Sequence, residues 1–170
     1  MSMPSNPAFA QATDIEQTLA LLAERCADPT PAVYDRMFAA HPYMKPYFWR
    51  DTNGAIKGEM LARTFDAILD FIGPRTYAHH MIGTEMITHE GYDVPREIFV
   101  TFFETIRDTV CDLLGEAWSA QHEDAWSNLL KEIHEFADAV PRSDIDIAHN
   151  REVRDKLIAG GWNQAGPKQG

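Results

Sequence analysis

The side chain with the clearest chemical potential is His89, which precedes a helix break at Gly91 and a long apolar stretch that Pro95 can open at its first turn. An imidazole at the end of a helix can point into an apolar pocket and bind a metal ion there. The same imidazole can also merely cap the helix and interact with the helix dipole. The pattern around His89 alone favours a capping role, so a metal-binding role must be supported by other segments of the chain.

Two aromatic side chains could shape such a pocket. Tyr34 lies in an apolar helical pattern, where a buried phenol needs a polar partner. Phe48 is the centre of three consecutive aromatic residues that follow Pro46 in a connecting loop. These residues either fold under as a hydrophobic lid or form an interface, and the lid is favoured because monomers rarely expose so large an apolar patch.

Helical periodicity accounts for most of the chain, and no alternating strand pattern competes with it. Thr13 and Glu16 predict a capping box at the first helix. An all-α fold is expected, with residues 1–12 as a flexible leader, one domain over residues 13–140, and an extension over residues 141–170 that has room for one short helix. The predicted helices cover residues 13–26, 30–41, 53–72, 77–89, 94–114 and 118–140.

Composition excludes several classes of partner. The chain has 170 residues, 45% of them hydrophobic, which predicts one globular core. A formal charge of −11 argues against nucleic acid and against an anionic membrane, because both would be repelled. No transmembrane segment or signal peptide is apparent, so a cytoplasmic protein is expected. Cys26 and Cys111 are interpreted as buried thiols, because their spacing specifies neither zinc nor a disulfide framework.

Common catalytic motifs are missing from the sequence. It contains no Gly-rich phosphate loop, no Gly-x-Ser-x-Gly elbow, no His-Glu-x-x-His helix and no paired Cys-x-x-Cys. The spacing of Glu85 and His89 does not fit a di-iron Glu-x-x-His motif. Chemistry in a helical chain of this size is therefore expected in a pocket between helices, with histidine as the candidate ligand.

Several segments together resemble the bacterial single-domain globins and the globin domain of flavohaemoglobins. Residues 33–38, then His41-Pro42 and residues 45–48, resemble the second helix and the following corner of that family. The pattern His-x-x-Tyr-x-Val at residues 89–94 is similar to the corner of its proximal histidine. The resemblance covers roughly residues 14–140. It implies a globin-like, three-over-three helical fold that binds haem b through its iron.

The resemblance also implies roles for particular residues. His89 is the expected iron ligand, Phe48 stacks on the haem, and Tyr34 is the distal hydrogen-bond donor. Met60 stands where Gln or His is usual, with Leu61 as the neighbouring alternative register and Thr64 one turn later, so the distal wall is mostly apolar. Phe99 replaces a tyrosine of the proximal network. The full set of expected cofactor-binding residues is His89, Phe48, Tyr34, Met60, Thr64, Leu61, Tyr92, Val94 and Phe99.

Three function classes follow from this resemblance. The favoured class is a haem protein that binds oxygen, nitric oxide or carbon monoxide for storage, transport or detoxification with a separate reductase as redox partner. The second is a sensor or interaction protein on a globin scaffold, with or without haem. The third is a six-coordinate electron carrier or a peroxidase-like enzyme in which Met60 or another group binds the iron as sixth ligand. His79 and His80 are expected to have solvated or surface roles, and a homodimer is left open.

Overall fold

A computed structural model describes residues 9–142 and 147–159. These ranges contain helices and connecting turns and no strand, which confirms the all-α prediction. Two short 3-10 helices accompany the α-helices, at Pro42–Phe48 and Gly115–Ala117. The α-helices are α1 (Ala12–Arg25), α2 (Thr30–Ala40), α3 (Ala55–Ile72), α4 (Ala78–Gly91), α5 (Arg96–Leu114), α6 (Ala120–Ala139) and α7 (Ile147–Ala159).

The helix boundaries lie within a few residues of the predicted ones, with local corrections. The capping box at Thr13 was wrong, because α1 already begins at Ala12 and Gln11 precedes it without a side-chain cap. Pro95 is extended, so α5 starts at Arg96, two residues after the predicted start at residue 94. The aromatic segment around Phe48 is largely a 3-10 helix rather than a loop, because the short 3-10 form accommodates Pro46 inside it.

The predicted flexible leader is wrong for its last residues. Phe9 is only 7% exposed and belongs to the hydrophobic core. The side chain of Asn128 on α6 donates a 2.6 Å hydrogen bond to the side chain of Gln11. The chain is therefore already packed at residue 9, whereas residues 1–8 lie outside the described part of the chain.

Helix α5 runs through the centre of the fold and contacts α1, α2, α4 and α6. Burial of its apolar face supplies the main driving force for packing. Trp126 on α6 is fully buried against this centre, and its indole nitrogen donates a 3.0 Å hydrogen bond to the hydroxyl of Thr18 on α1. The prediction of two buried thiols is corrected, since Cys26 and Cys111 are only partly buried.

A buried carboxylate joins α3 to α4. Asp70 accepts hydrogen bonds from the amide of Ala78 at 2.8 Å, from the amide of Tyr77 at 3.0 Å, and from the amide and hydroxyl of Thr76 at 3.1 and 2.6 Å. Burial by itself would raise the pKa of Asp70. The hydrogen bonds from the Thr76 hydroxyl and from the amides of Tyr77, Ala78 and Thr76 outweigh burial and lower the pKa to about 2. Asp70 therefore fixes the start of the helix that carries His89.

His79 has a different role from the predicted solvated one. Its ring lies 4.8 Å from the ring centroids of both Phe71 and Phe136, so it packs between α3 and α6. Burial, followed by the nearby positive charge of Arg75, lowers its pKa. His80 is exposed, as expected.

Helix α7 lies within the C-terminal extension and packs against α4. Within residues 9–142 and 147–159, no helix has the length and apolar character needed to cross a membrane.

Candidate functional site

A cavity of about 290 Å³ lies between α2, the 3-10 helix Pro42–Phe48, α3, α4 and α5. Its wall is mainly apolar, and the charged side chains of Glu59, Arg63 and Glu85 also border it. The structure brings most of the predicted site residues together here, namely Tyr34, Phe48, Met60, Thr64, His89, Val94 and Phe99. Lining residues that sequence reasoning did not single out are Met37, Met44, Ile56, Met81, Ile82, Ile98, Phe102 and Phe103.

His89 lines the cavity in a defined orientation. Its Nδ1 lies 2.7 Å from the carbonyl oxygen of Glu85, one turn earlier on α4. Because a carbonyl can only accept, this contact assigns the proton of the neutral imidazole to Nδ1 and the lone pair to Nε2. The ring of Phe99 packs at 5.0 Å from the imidazole. In its neutral form, His89 therefore carries its lone pair on Nε2, an atom through which imidazole binds metals.

Tyr34 contributes a buried phenol to the same cavity. The residue is 2% exposed, and its hydroxyl has no hydrogen-bond partner among the described residues. Its ring is held by Phe38, Phe48 and Phe102, at centroid distances of 5.9, 5.2 and 5.5 Å. Burial, followed by the negative charge of Asp51, raises the pKa of Tyr34 well above its ordinary value. The hydroxyl therefore keeps its proton and is available as a donor.

Phe48 forms part of the cavity wall, as predicted for an aromatic residue that folds under. Its ring meets that of Tyr34 nearly edge-on, and the ammonium group of Lys57 lies 5.7 Å from its centroid. The backbone carbonyl of Phe48 accepts a 2.9 Å hydrogen bond from the amide of Asp51. The 3-10 helix therefore ends in a turn that holds Phe48 against the cavity.

Asp51 is a structural residue of this site that sequence reasoning missed. Its buried carboxylate accepts hydrogen bonds from the amides of Ile56 and Lys57, each at 3.0 Å, and from the ammonium group of Lys57 at 2.6 Å. It thereby satisfies two of the orphan amides in the first turn of α3. The signal in the sequence is weak, because Asp51 lies several residues before the helix rather than at its usual capping position.

The wall supplied by α3 differs partly from the expectation. Met60 and Thr64 line the cavity, but the Thr64 hydroxyl donates a 2.8 Å hydrogen bond to the carbonyl oxygen of Met60. Leu61, at 2% exposure, is buried in the core and is not a lining residue of the cavity. Since neighbouring residues on an α-helix are about 100° apart, Leu61 faces away when Met60 and Thr64 face inward. The alternative register at Leu61 was wrong.

The corner after His89 corrects a second prediction. Val94 lines the cavity, but Tyr92 is 66% exposed and does not. The corner is closed by the backbone, since the carbonyl of His89 accepts hydrogen bonds from the amides of Tyr92 at 3.0 Å and Val94 at 2.9 Å. The turn therefore leaves the ring of Tyr92 in solvent.

A buried ion pair lies next to this corner, and no local sequence pattern predicts it. The guanidinium of Arg96 donates a 2.9 Å hydrogen bond to the carboxylate of Glu90, and both side chains are almost fully buried. Arg96 also donates to the carbonyl oxygens of Ala137, Val140 and Pro141. It therefore caps the end of α6 while holding the residue next to His89.

Within the described ranges no cluster of three or more His, Cys, Asp or Glu residues could hold a metal ion. Comparisons with protein-family models, with curated proteins and with solved structures give no match. The functional proposal therefore rests on the chemistry and geometry of the cavity.

Proposed function

We propose that this protein is a globin-like haem protein that binds a small gas ligand, with oxygen as the first candidate. The observation that carries the proposal is the pairing of His89 with Tyr34 in one apolar cavity. His89 lines the cavity with its Nδ1 hydrogen-bonded to a backbone carbonyl, and Tyr34 offers a buried hydroxyl without a partner among the described residues. Because buried polar groups are normally hydrogen-bonded, we expect the Tyr34 hydroxyl to donate to a ligand in the cavity.

The donor set fits haem better than a bare metal ion. One imidazole in an apolar cavity is too little to hold a metal ion alone, whereas a macrocycle supplies the remaining equatorial ligands itself. When bound, haem supplies an iron centre whose open position can take a diatomic gas. The aromatic and methionine side chains of the wall provide the apolar surroundings that such a group requires.

Each side chain then has a definite task. His89 binds through Nε2, while its hydrogen bond to the Glu85 carbonyl fixes the tautomer and orients the ring. Phe48 and Phe99 keep water out of the cavity, and their rings pack against the flat haem macrocycle. Tyr34 keeps its proton and donates it in a hydrogen bond to a polar ligand. The Thr64 hydroxyl already bonds within α3, which leaves Tyr34 as the principal donor.

The order of elements supports a three-over-three globin-like arrangement. The residue that would bind the cofactor lies at the end of α4, and α5 follows directly and forms part of the cavity wall. Helix α2 and the 3-10 helix Pro42–Phe48 supply Tyr34 and Phe48 from another side. This is the order that the sequence resemblance predicts.

The proposal is tested by expressing the protein with a haem supply and recording absorption spectra of its oxidised and reduced forms. We expect a haem-loaded parent, loss of haem from His89→Gly, and its recovery with added imidazole. His80→Gly is the matched control, because His80 lies on the same helix but is exposed. A parent that takes up no haem, or a His89→Gly variant with parental spectra, would contradict the proposal.

A six-coordinate electron carrier is the second candidate. It is supported by Met60, which lines the cavity and whose thioether is a known type of axial ligand. The reduced spectra of the parent and of Met60→Leu separate the two functions. Identical five-coordinate spectra favour gas binding, whereas a six-coordinate parent that becomes five-coordinate in Met60→Leu favours electron transfer.

A further inference from the structure

The C-terminal segment is attached to the corner that follows His89. On α7, the guanidinium of Arg151 makes two hydrogen bonds with the carboxylate of Asp93, at 2.7 and 2.6 Å. Before α7, the guanidinium of Arg142 contacts Glu90 at 3.4 Å and Glu97 at 3.0 Å. Two arginines from the extension therefore reach carboxylates on both sides of the same corner.

Asp93 is the residue on which this corner turns. Its φ of 65° is in the left-handed region, which Asp tolerates better than most residues. Its carbonyl oxygen accepts a 2.9 Å hydrogen bond from the hydroxyl of Tyr47, next to Phe48. The following amide, that of Val94, donates to the carbonyl of His89. Asp93 thus links α7, the 3-10 helix Pro42–Phe48 and the end of α4.

We propose that residues 141–142 and α7 form a clamp on the corner at residues 89–94, and that this clamp sets how firmly the cavity retains its cofactor. The effect on cofactor retention rests on the function proposed above. The restraint of residues 89–94 does not, because it depends only on contacts within the chain.

The geometry indicates that the Arg151–Asp93 pair stabilises its surroundings more than an ordinary surface ion pair does. Fully exposed pairs contribute little, because water screens them and both side chains lose freedom. Here the Asp93 side chain is only 16% exposed, the contact is bidentate, and it restrains a residue in a sparsely populated backbone conformation. Removing Arg151 should therefore increase local opening of the corner without unfolding the helical core.

The corner is tested by amide hydrogen exchange on the full-length protein without cofactor. We expect Arg151→Gln to speed exchange of the amides of residues 92–94 by about fivefold, the factor that corresponds to the upper end of the range for exposed ion pairs. Lys156→Gln is the matched control, since Lys156 pairs with Glu152 within α7 and not with the corner. Equal exchange in the parent and Arg151→Gln would overturn the clamp.

A second variant separates the ion pair from general damage to α7. Asp93→Asn preserves the size of the side chain and tolerates a positive φ, but it loses the charge. If the pair acts as proposed, Asp93→Asn speeds exchange as Arg151→Gln does, and the double variant is no faster than either single one. Additive effects would overturn the assignment to this pair.

The link to the cofactor is measured separately, as the rate at which each variant transfers haem to an excess of an acceptor protein. Faster transfer from Arg151→Gln than from Lys156→Gln is expected, and equal transfer rates would overturn the link. A parent that binds no haem refutes the proposed function, while the exchange experiment still decides whether the clamp exists.

Discussion

The Nδ1 atom of His89 lies 2.7 Å from the carbonyl oxygen of Glu85, one turn earlier on the same helix. The acceptor is a backbone atom, so its position is fixed by α4 itself. The Glu85 carboxylate is farther away, with an oxygen 3.9 Å from Nδ1. The direction of the imidazole is therefore set mainly by the helix, and in the neutral imidazole the same contact leaves the lone pair on Nε2.

Tyr34→Phe is expected to stabilise the protein without cofactor. Burial of a hydroxyl without a partner costs roughly 1–3 kcal/mol in proteins, and the substitution removes that hydroxyl while keeping the ring contacts. Urea unfolding at pH 7 should show a higher free energy of unfolding. The control is Tyr47→Phe, which removes the hydroxyl that donates to the Asp93 carbonyl and should lower it by about 0.5–1.5 kcal/mol. A lower stability of Tyr34→Phe would show that its hydroxyl is satisfied.

The same substitution tests the role of Tyr34 once haem is bound. A hydrogen bond to a partly negative ligand contributes up to roughly 1.5–3 kcal/mol, and about 1.4 kcal/mol corresponds to a tenfold change in rate. Tyr34→Phe should therefore release oxygen about ten to a hundred times faster, with a much smaller change in association. Stopped-flow measurement of dissociation decides this, and equal rates would make Tyr34 a purely structural residue.

Phe48→Ala should release haem faster than the parent. Phe48 lines the cavity and packs against Tyr34 and Phe38, so its truncation opens the wall to water. Loss of a fully buried Phe costs roughly 3–5 kcal/mol, and the half-buried Phe48 should lose less. Phe65→Ala provides the comparison, because Phe65 is similarly half-buried but lies on a separate groove between α1 and α3. Equal haem loss from the two variants would place Phe48 away from the cofactor.

Asp70→Asn should reduce the acid sensitivity of the fold. The pKa of Asp70 is about 2 in the folded protein, below the ordinary 3.8, so the folded state favours the carboxylate. Its stabilisation, roughly 2 kcal/mol, is present above pH 4 and is lost as the pH falls towards 2. In urea unfolding the variant should be weaker than the parent at pH 7, with a smaller difference near pH 2. A difference independent of pH would refute the assigned pKa.

The sequence predicts those parts of the site that depend on local patterns. His89 before a helix break, Phe48 after two prolines and Tyr34 on an apolar helical face all lie on the cavity wall. Leu61 was misplaced because a shift of one residue on a helix turns the side chain by about 100°, and Tyr92 because the turn that ends α4 leaves its ring in solvent.

Other features depend on partners that no local pattern relates. Glu90 and Arg96 form a buried pair only because α6 ends beside them, and Asp93 meets Arg151 across 58 positions of sequence. Asp70 looks like an ordinary polar residue of α3 until the following turn places three amides around it. Such contacts follow from the folded arrangement, since the sequence does not indicate which distant groups will meet.

The hydrogen bonds of Asp70 hold one end of α4, and His89 lies near the other end, so a tilt of the helix at Asp70 displaces His89. Asp70 holds the helix at Ala78, and at about 1.5 Å per residue the imidazole lies about 16 Å farther along its axis. A tilt of about 5° at the junction would therefore displace His89 by about 1.4 Å, as follows from this helix rise. The separation between His89 and the α3 wall of the cavity thus depends on the Asp70 junction as well as on the corner at residues 89–94, and a substitution at Asp70 can alter the width of a cavity that Asp70 does not line.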